Sequence, residues 1–502
     1  MAMTEQLDLL LINPIAAHGI YSGHAIYGDL ATELVAVEPP LWIRLIAGYV
    51  RDRKFTVKVI DAEATKQQPA EVAQIVAELK PRLTGIIVFG HQPSASTQQM
   101  HGARQVAQAI RDADPDAKTI IVGGHVAALP NQTLREEPVT YACNGEGPIT
   151  ILGLLNGEKD PNIPGLVWRP CENEVVANPA APIIQDLDKD LHGDAWDLLP
   201  MDLYRSHQWQ CFGDFSKRQP YASIYTSLGC PYQCTFCCIN APFGGTGYRR
   251  RSPKAVVDEI QMLHDKYGVK TFKITDEMFI LKEGHYTEIC GRLIDSGLGD
   301  KINIWAYARI DTVKPQTLQM LRMAGFQWLA LGIESGSEHV RDGAKKKLAQ
   351  RDVINTVRSI QAGGINVIAN YMFGLQDDDL YTMAQTLDLA MELNTEFVNF
   401  YTTMAYPGSK LYEQAIKDGW VLPESWKGYS QHNADCRPMD TEHISAAAVL
   451  QYRDNAFTRY FTNPRYLRMV EEKFGSETLA HVKKMTEYEL PRKLFGKGKV
   501  NA

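Results

Sequence analysis

The sequence predicts an α/β protein in which a doubly wound parallel sheet is followed by six further strand–helix units and a mainly helical C-terminal region. Three observations support this fold class. Short β-branched or aliphatic runs alternate with amphipathic helical stretches twice, over residues 7–155 and 222–406. A proline-rich stretch separates the two repeats, and helical periodicity returns at 446–461. Strands separated by helices of this length are typical of βαβ units, whose strands lie parallel.

The first repeat combines five predicted strands with the helices between them. Parallel doubly wound sheets bind ligands beyond the carboxyl ends of their strands. The turns at these ends are short and rich in glycine or hydroxyl groups, which lets the backbone approach a large flat ligand closely. The strands cover residues 7–13, 56–61, 85–89, 119–122 and 139–142; the helices cover 41–53, 70–80, 98–112, 132–137 and 149–155; the turns hold 13–14, 61–63, 91–96, 123–125 and 145–147.

Residues 157–220 differ from both repeats. Six prolines between 161 and 200 interrupt any long helix. Two short apolar runs, 165–169 and 174–176, flank a polar turn and predict a small hairpin. We therefore expect a linker that carries one hairpin and lies over the neighbouring domains.

The second repeat contains six predicted strands with covering helices. Ser252 followed by Pro253 marks the start of one of these helices, with serine as the cap and proline at the first helical position. Catalytic residues of βα barrels lie at the carboxyl ends of the strands. The predicted strands cover residues 222–227, 271–275, 303–308, 328–333, 366–373 and 397–402.

Three cysteines follow the first of these strands. Cys230, Cys234 and Cys237 have the spacing C-x3-C-x2-C, and three thiolates so close together can hold three irons of a cubane cluster and leave the fourth open to another ligand. A structural zinc site is an alternative, but only Cys238 and the isolated Cys436 could complete it. Packing of buried cysteines is another alternative, and it is the role we expect for Cys238.

With Phe236 just before its last cysteine, this loop resembles the signature loop of the radical S-adenosylmethionine superfamily. The resemblance implies a [4Fe-4S] cluster on the three cysteines, whose open iron is chelated by the amino and carboxylate groups of S-adenosylmethionine. The cluster electron would cleave that molecule to methionine and a 5′-deoxyadenosyl radical. The resemblance also implies that residues 221–412 form a partial (β/α)6 barrel.

Polar residues after the other strands match positions that contact S-adenosylmethionine in this superfamily. Asp276 and Glu277 stand where relatives carry a Gly-Gly-Glu segment that binds the methionine amino group, although only an acid is present here. Arg309 and Glu334 match positions that meet the ribose or the carboxylate, and a structural Arg–Glu pair inside the barrel is the alternative. The full set of expected contacts is Phe236, Asp276, Glu277, Arg309, Glu334, Ser335 and Asn370.

The first repeat, placed directly before such a loop, resembles the Rossmann-like domain of the cobalamin-binding radical S-adenosylmethionine enzymes. The resemblance covers residues 1–156 and rests on the order of the elements and on their turns. It implies a cobalamin at the strand ends, and a sheet that binds no corrin is the alternative. The expected contacts are Asn13, Ser94, Ser96, Gly123, Gly124, His125, Gly145 and Glu146.

One departure concerns the cobalt ligand. Many other cobalamin proteins supply a lower histidine from an Asp-x-His-x-x-Gly loop, but His18 has neither the aspartate two residues before it nor the glycine three residues after it. Many radical relatives also lack that ligand. We therefore expect cobalt without a protein histidine below it, and we interpret His18, His91 and His125 as loop or core histidines.

Composition excludes several classes of protein. The 502 residues are 45% hydrophobic and 22% charged, as in a soluble enzyme of about three domains. The formal net charge of -7 gives no general attraction to nucleic acid or anionic membranes. Nine scattered cysteines argue against an oxidising compartment, and neither a signal peptide nor an apolar run of about 18 residues is present. We expect a cytoplasmic protein with no nucleic-acid partner and no membrane span.

These features predict a cobalamin-dependent radical S-adenosylmethionine enzyme that methylates an unactivated carbon. The adenosyl radical would abstract a hydrogen, and methylcobalamin would donate its methyl group to the carbon radical. A non-methylating cyclase or rearrangement enzyme of the same family is one alternative, and a non-catalytic zinc-binding regulatory protein is another. We expect a small-molecule substrate, an external electron donor such as a flavodoxin or ferredoxin, and a C-terminal region, residues 413–502, that caps the barrel.

Overall fold

The computed structural model describes residues 6–15 and 35–495, and it confirms the predicted fold class. A seven-stranded sheet forms the first unit, a six-stranded parallel sheet forms the second, and helices follow. None of the described helices is both long enough and apolar enough to cross a membrane.

The first sheet is apolar on both faces. Its five parallel strands lie in the order β2-β1-β3-β4-β5. In β1, Leu9 and Leu11 join one core while Leu10 and Ile12 join the core on the other face. A doubly wound sheet of this order opens a crevice at the carboxyl ends of its strands, where the strand order reverses beside β1. The strands are β1 (Leu9–Asn13), β2 (Val57–Asp61), β3 (Leu83–Ile87), β4 (Thr119–Val122) and β5 (Tyr141–Cys143).

Helices cover both faces of this sheet, close to where the sequence predicts them. The helix predicted from residue 98 begins earlier, at Ala95. The apolar pattern does not reveal this first turn, because Ser96 and Thr97 are weak helix formers. The helices are α1 (Leu41–Asp52), α2 (Ala62–Thr65), α3 (Pro69–Leu79), α4 (Ala95–Ala113), α5 (Gly124–Ala128), α6 (Pro130–Glu136) and α7 (Pro148–Leu155).

The predicted hairpin forms and extends the first sheet. Its first strand, β6 (Leu166–Trp168), pairs antiparallel with β5, and its second, β7 (Val176–Ala177), pairs antiparallel with β6 at the edge of the sheet. After the short helix α8 (Leu187–Asp190), the chain crosses to the second sheet. There the Gln210 amide donates to the carbonyls of Phe272 (2.9 Å) and Asn303 (3.2 Å), so this segment covers the amino ends of the strands.

The second sheet contains six parallel strands in sequential order. The first predicted strand ends earlier than expected, because Thr226 and Ser227 turn away to hydrogen-bond Asp276 and the chain then forms a short antiparallel pair, β9 with β10. The strands are β8 (Tyr221–Ile224), β9 (Ser227–Leu228), β10 (Arg249–Arg250), β11 (Thr271–Ile274), β12 (Asn303–Arg309), β13 (Phe326–Glu334), β14 (Asn366–Phe373) and β15 (Phe397–Thr402).

Two helix predictions for the second unit and the C-terminal region are confirmed. Ser252 caps the first of them as predicted, accepting a hydrogen bond from the Ala255 amide at 3.2 Å. The helix predicted at 446–461 has those bounds. The helices are α9 (Pro253–Tyr267), α10 (Glu283–Asp295), α11 (Leu318–Met323), α12 (Glu338–Gly343), α13 (Gln350–Ala362), α14 (Leu380–Leu393), α15 (Lys410–Asp418), α16 (Ala446–Phe461) and α17 (Pro464–Met485).

Buried ion pairs join the two units. Arg44 of α1 meets Glu259 of α9 at 2.9 Å, and Glu38, just before α1, meets Lys273 of β11 at 2.8 Å. The segment around Glu38 also lies along β8, where the Ser223 hydroxyl donates to the carbonyl of Pro39 at 3.2 Å. These contacts fix the carboxyl end of one sheet against the carboxyl end of the other.

Candidate active site

A cavity lies where the carboxyl ends of the two sheets meet. It holds about 1360 Å³ of space that no protein atom fills, open solvent included. The first sheet contributes Asn13, residues 89–93 and Gly124, and the second contributes residues 227–229 and 275–277. A position at a strand-order reversal is where open α/β sheets bind ligands.

The cysteine loop begins at this cavity. Gly229 precedes it with a φ of 85°, and a side chain there would lie 2.8 Å from the carbonyl oxygen of Gly247. The Asn240 side chain bridges the loop to itself: it accepts from the Cys230 amide at 3.3 Å and donates to the Cys230 carbonyl at 3.1 Å. Cys230, Cys234 and Cys237 are free thiols, so the loop has a defined backbone and three available sulfurs.

The donor set fits an iron-sulfur cluster. Burial raises the pKa of the Cys230 thiol to about 11 and that of Cys237 well above its ordinary value, so positive metal charge would be needed to hold them as thiolates. Among the described residues, no three Cys, His, Asp or Glu side chains surround one metal position. The sequence spacing C-x3-C-x2-C suits a cubane, in which each thiolate meets a separate iron, better than a single zinc ion. Cys436 lies in a separate apolar core with Met404.

Arg309, at the end of β12, reaches the cysteine loop. Its Nη1 lies 3.9 Å from the Cys234 sulfur, and its guanidinium lies 3.9 Å from the ring centre of Tyr232. The Asp311 carboxylate accepts from Nε at 2.9 Å and from Nη2 at 3.2 Å. The alternative Arg309–Glu334 pair does not form, because Arg309 is bound to Asp311.

The structure separates the two acids after β11. The Asp276 carboxylate accepts from the Thr226 amide (2.6 Å) and from the hydroxyls of Thr226 and Ser227 (both 2.5 Å), so it holds the turn that leads to the cysteines. Glu277 lines the cavity and has no hydrogen-bond partner among the described residues. Burial raises the pKa of Glu277 to about 7, with the charge of Asp276 adding to the effect and Lys273 opposing it. Glu277 is thus the acid of the two that lines the cavity without being held by the turn, and its expected contact with S-adenosylmethionine stays a prediction.

Glu334 ends β13 and forms a buried ion pair with Lys346. Its φ of 66° is a strained backbone conformation for a residue with a side chain, of a kind that collects at functional sites. The strained backbone marks Glu334 as a candidate functional residue even though its carboxylate is paired with Lys346.

Three other expected contacts are engaged in the fold. Ser335 is fully buried, with its hydroxyl 3.1 Å from that of Thr386. Asn370 donates to the Leu331 carbonyl at 3.2 Å and accepts from the Asn399 amide at 2.9 Å. Phe236 packs against apolar side chains of the barrel mouth. Their expected contacts with S-adenosylmethionine stay predictions.

In the first sheet, Ser96 and His125 build the turn between β4 and α5. The Ser96 hydroxyl donates to the Val88 carbonyl and accepts from the His125 amide at 2.8 Å. The His125 ring lies 3.1 Å from the Thr97 hydroxyl and edge-on to Trp426, and burial lowers its pKa to about 3. Both side chains therefore shape the crevice through internal hydrogen bonds.

The other expected cobalamin contacts differ in whether they already have partners within the fold. Asn13 lines the cavity and donates to Asp61 at 2.8 Å. Glu146 forms a buried ion pair with Arg249, so it joins the two units. Gly145 has a φ of 140° and open space around the position of a side chain. Ser94 directly precedes α4, and its side chain makes no cap hydrogen bond there.

The histidines also differ in their surroundings. His91 lines the cavity beside Glu38 and Lys273, and burial lowers its pKa to about 3. His18 lies outside the described residues.

Gln99 and Glu38 are polar residues of the cavity that are not among the contacts predicted from the sequence. Gln99 is buried, lines the cavity, and its Oε1 has no hydrogen-bond partner in the described part of the chain. It lies three residues after Ser96 on α4, so the helical period could have indicated it. Glu38 lines the cavity too, but its partner Lys273 is 235 residues away, and no local pattern signals such a pair.

Gly123 provides a test of how closely the crevice is packed. A side chain at Gly123 would overlap the Val88 carbonyl oxygen of the neighbouring strand, whereas one at Gly124 would lie an ordinary 3.6 Å from the Ser96 Cβ. We expect Gly123→Ala to lower the unfolding free energy of the cofactor-free protein by about 1–3 kcal/mol, as overpacking does. Urea denaturation measures this, and Gly124→Ala is the matched control. Equal stability of the two variants would contradict the packing.

Comparison with known proteins identifies both units of the chain. Residues 28–155 match the family model of the B12 binding domain, and residues 224–390 match that of the Radical SAM superfamily. The two matches confirm the predicted resemblance and the predicted cofactors, a [4Fe-4S] cluster, S-adenosylmethionine and cobalamin.

Curated relatives align with most of the chain. An uncharacterized methyltransferase of Pyrococcus horikoshii is 27% identical over 435 residues, which are 86% of this chain and 89% of the relative. The anaerobic magnesium-protoporphyrin IX monomethyl ester cyclase of Rubrivivax gelatinosus is 26% identical over 457 residues, which are 89% of this chain and 78% of the relative.

Solved structures share the fold over nearly the whole chain. The radical S-adenosylmethionine methyltransferase TsrM of Kitasatospora setae, with cobalamin and a [4Fe-4S] cluster bound, is 18% identical with a TM-score of 0.68, covering 96% of this chain and 100% of its own. The radical enzyme OxsB, with aqua-cobalamin and S-adenosylmethionine bound, is 16% identical with a TM-score of 0.65, covering 99% of this chain and 74% of its own.

Proposed function

We propose that this chain, which belongs to the radical S-adenosylmethionine superfamily and carries a B12-binding domain, methylates an unactivated carbon of a small molecule. The observation that carries the proposal is the single cavity at which the carboxyl ends of both sheets meet. It brings the crevice of the first sheet and the cysteine loop of the second to the same space. A substrate held there would face both groups of cofactor-binding residues.

The cavity and the adjoining cysteine loop have distinct roles in this proposal. Cys230, Cys234 and Cys237 of the loop bind three irons, and Glu277 of the cavity receives the ammonium group of S-adenosylmethionine. A bound cation explains why a half-buried carboxylate without a hydrogen-bond partner among the described residues is present, because it would lower the pKa of Glu277 from about 7. Gln99 fits a corrin, whose rim carries primary amides that can donate to an unpaired carbonyl oxygen.

The protein's own contribution is to position these groups and exclude water. When bound, the cluster supplies an electron, S-adenosylmethionine supplies a radical and a methyl group, and cobalamin carries the methyl group. The cobalamin domain comprises residues 1–156, the linker 157–220, the barrel 221–412 and the capping region 413–502. An external flavodoxin- or ferredoxin-like protein would supply the electron in the reducing cytoplasm, where the free cysteines of this chain are stable.

The relatives support methyl transfer and also one second candidate. The Pyrococcus horikoshii relative is named as a methyltransferase, and so is TsrM. The Rubrivivax gelatinosus relative is named as a cyclase, which supports a radical cyclisation without methyl transfer as the second candidate.

Anaerobic turnover separates the two candidates. The reconstituted enzyme is supplied with cobalamin, a strong reductant, S-adenosylmethionine labelled in its methyl group and a fractionated extract of small molecules. A methyltransferase gives 5′-deoxyadenosine and S-adenosylhomocysteine in equal amounts, together with a product that gains one labelled methyl group. Product formation with 5′-deoxyadenosine but no S-adenosylhomocysteine would establish the cyclase instead. Zinc and no iron-sulfur absorption in the anaerobically purified protein would overturn both.

A further inference from the structure

We infer that Arg309 is a positioning residue for the iron-sulfur cluster, which holds the cysteine loop and raises the reduction potential of the cluster through a hydrogen bond to Cys234. This inference rests on the proposed function, because it requires a cluster on the three cysteines. It gives Arg309 a different role from the expected contact with S-adenosylmethionine.

Two contacts of the Arg309 side chain are with the cysteine loop. The side chain of Arg309 is largely buried, Nη1 points to the Cys234 sulfur, and the flat face of the guanidinium lies on Tyr232, two residues before Cys234. The Asp311 carboxylate holds the opposite edge through two hydrogen bonds, at 2.9 and 3.2 Å. Rotation toward the cavity would break these contacts together. The guanidinium is therefore oriented by the fold before any cofactor binds.

The guanidinium of Arg309 interacts more strongly with a negatively charged cluster on Cys234 than with a neutral Cys234 thiol. Reduction adds one negative charge to the cluster, and hydrogen bonds to its ligand sulfurs stabilise the more negative state. The interaction is strong because the surroundings exclude much of the water. Two other buried cations near the barrel mouth are bound to carboxylates, since Lys273 pairs with Glu38 and Lys346 pairs with Glu334. Arg309 also has a carboxylate partner, but Asp311 is 41% exposed, so solvent screens much of its charge.

The test measures the potential before S-adenosylmethionine is added. Arg309→Met removes the charge, Arg309→Lys keeps it without the fork or the stacking, and Arg292→Met removes an exposed arginine of α10 as a matched control. The reconstituted full-length enzymes, with cobalamin bound, are titrated anaerobically, and the reduced cluster is counted by electron paramagnetic resonance. Iron content is measured on the same samples.

We expect Arg309→Met to keep its iron and to become harder to reduce. A decrease of about tenfold in the reduction equilibrium constant corresponds to about 59 mV for one electron. Arg309→Lys should shift less in the same direction, and Arg292→Met should match the wild type. If Arg309→Met loses its iron, the reduction potentials of Arg309→Lys and Asp311→Asn test the inference instead. Each of these variants changes the hydrogen bond while retaining the charge near Cys234.

Two results would overturn the inference, and they are distinguishable. An unchanged potential in Arg309→Met, with weaker S-adenosylmethionine binding, would support the role first expected for Arg309, a contact with S-adenosylmethionine. An unchanged potential with unchanged binding would leave Arg309 a structural residue only. Failure of the wild-type protein to hold a [4Fe-4S] cluster at all would instead contradict the proposed function on which the inference rests.

Discussion

Replacement of Cys234 by alanine is expected to remove the iron-sulfur absorption and to reduce S-adenosylmethionine cleavage to background. Cys234 lies in the middle of the three-cysteine loop, and without its thiolate one iron of the cubane loses its protein ligand. Because cleavage needs the electron of the cluster, the loss should include the whole enzymatic acceleration, on the order of 10⁶-fold or more. Iron and sulfide content, visible absorption and 5′-deoxyadenosine formation measure the effect.

Cys238 provides the matched control for this experiment. It is adjacent to Cys237, it is buried, and burial raises the pKa of its thiol to about 12, as expected for a cysteine that packs as a small apolar side chain. Cys238→Ala should therefore keep its iron and its cleavage activity. Loss of iron in Cys238→Ala, with iron retained in Cys234→Ala, would show that the ligand set is wrong.

The sequence predicts the elements of this fold well because their signals are local. Apolar residues recur with the period of a helix or a strand, and Ser252 and Pro253 mark a helix start that the structure confirms. The hairpin at 166–177 was also predicted, but its addition to the first sheet was not. Pairing between distant strands depends on which edge is free after folding, and no periodicity within the hairpin contains that information.

The candidate site is predictable in the same uneven way. Cluster binding requires three closely spaced cysteines. Because they lie in one short loop, their spacing can be read directly from the sequence. The two acids after β11 are adjacent, and sequence could not decide between them. In the structure, Thr226 and Ser227 hydrogen-bond Asp276, whereas Glu277 has no hydrogen-bond partner among the described residues, and the contact of either acid with S-adenosylmethionine stays a prediction. Partners far away in sequence decide which polar side chain is free.

The contacts that orient the two sheets are of this distant kind, and Glu259 is the centre of one of them. Its carboxylate meets Arg44 of the first unit at 2.9 Å and also binds Arg251, and all three side chains are less than 10% exposed. Trp196 of the linker donates its indole N–H to the same carboxylate at 2.9 Å and lies under the Arg44 guanidinium. Three parts of the chain therefore meet at one carboxylate.

Glu259→Ala is expected to lower the unfolding free energy by about 3–5 kcal/mol, because it leaves the buried guanidinium of Arg44 without its counter-charge and leaves that of Arg251 only the more distant Asp188, at 3.9 Å. Urea denaturation of the cofactor-free protein measures the change. The matched control is Glu288→Ala, which removes the carboxylate of an exposed pair with Arg292 on α10 and should cost less than about 1 kcal/mol.

The network around Glu259 also predicts that further substitutions restore stability to Glu259→Ala. A simple loss of contacts would not predict this. Replacing Arg44, Arg251 and Glu259 together by methionine removes the buried charges along with their partner, and apolar side chains of similar volume can replace buried ion pairs without loss of stability. The triple variant should therefore be more stable than Glu259→Ala. If it is less stable, the cost of Glu259→Ala comes from lost packing and hydrogen bonds, and the unpaired charge of the two arginines is not the cause.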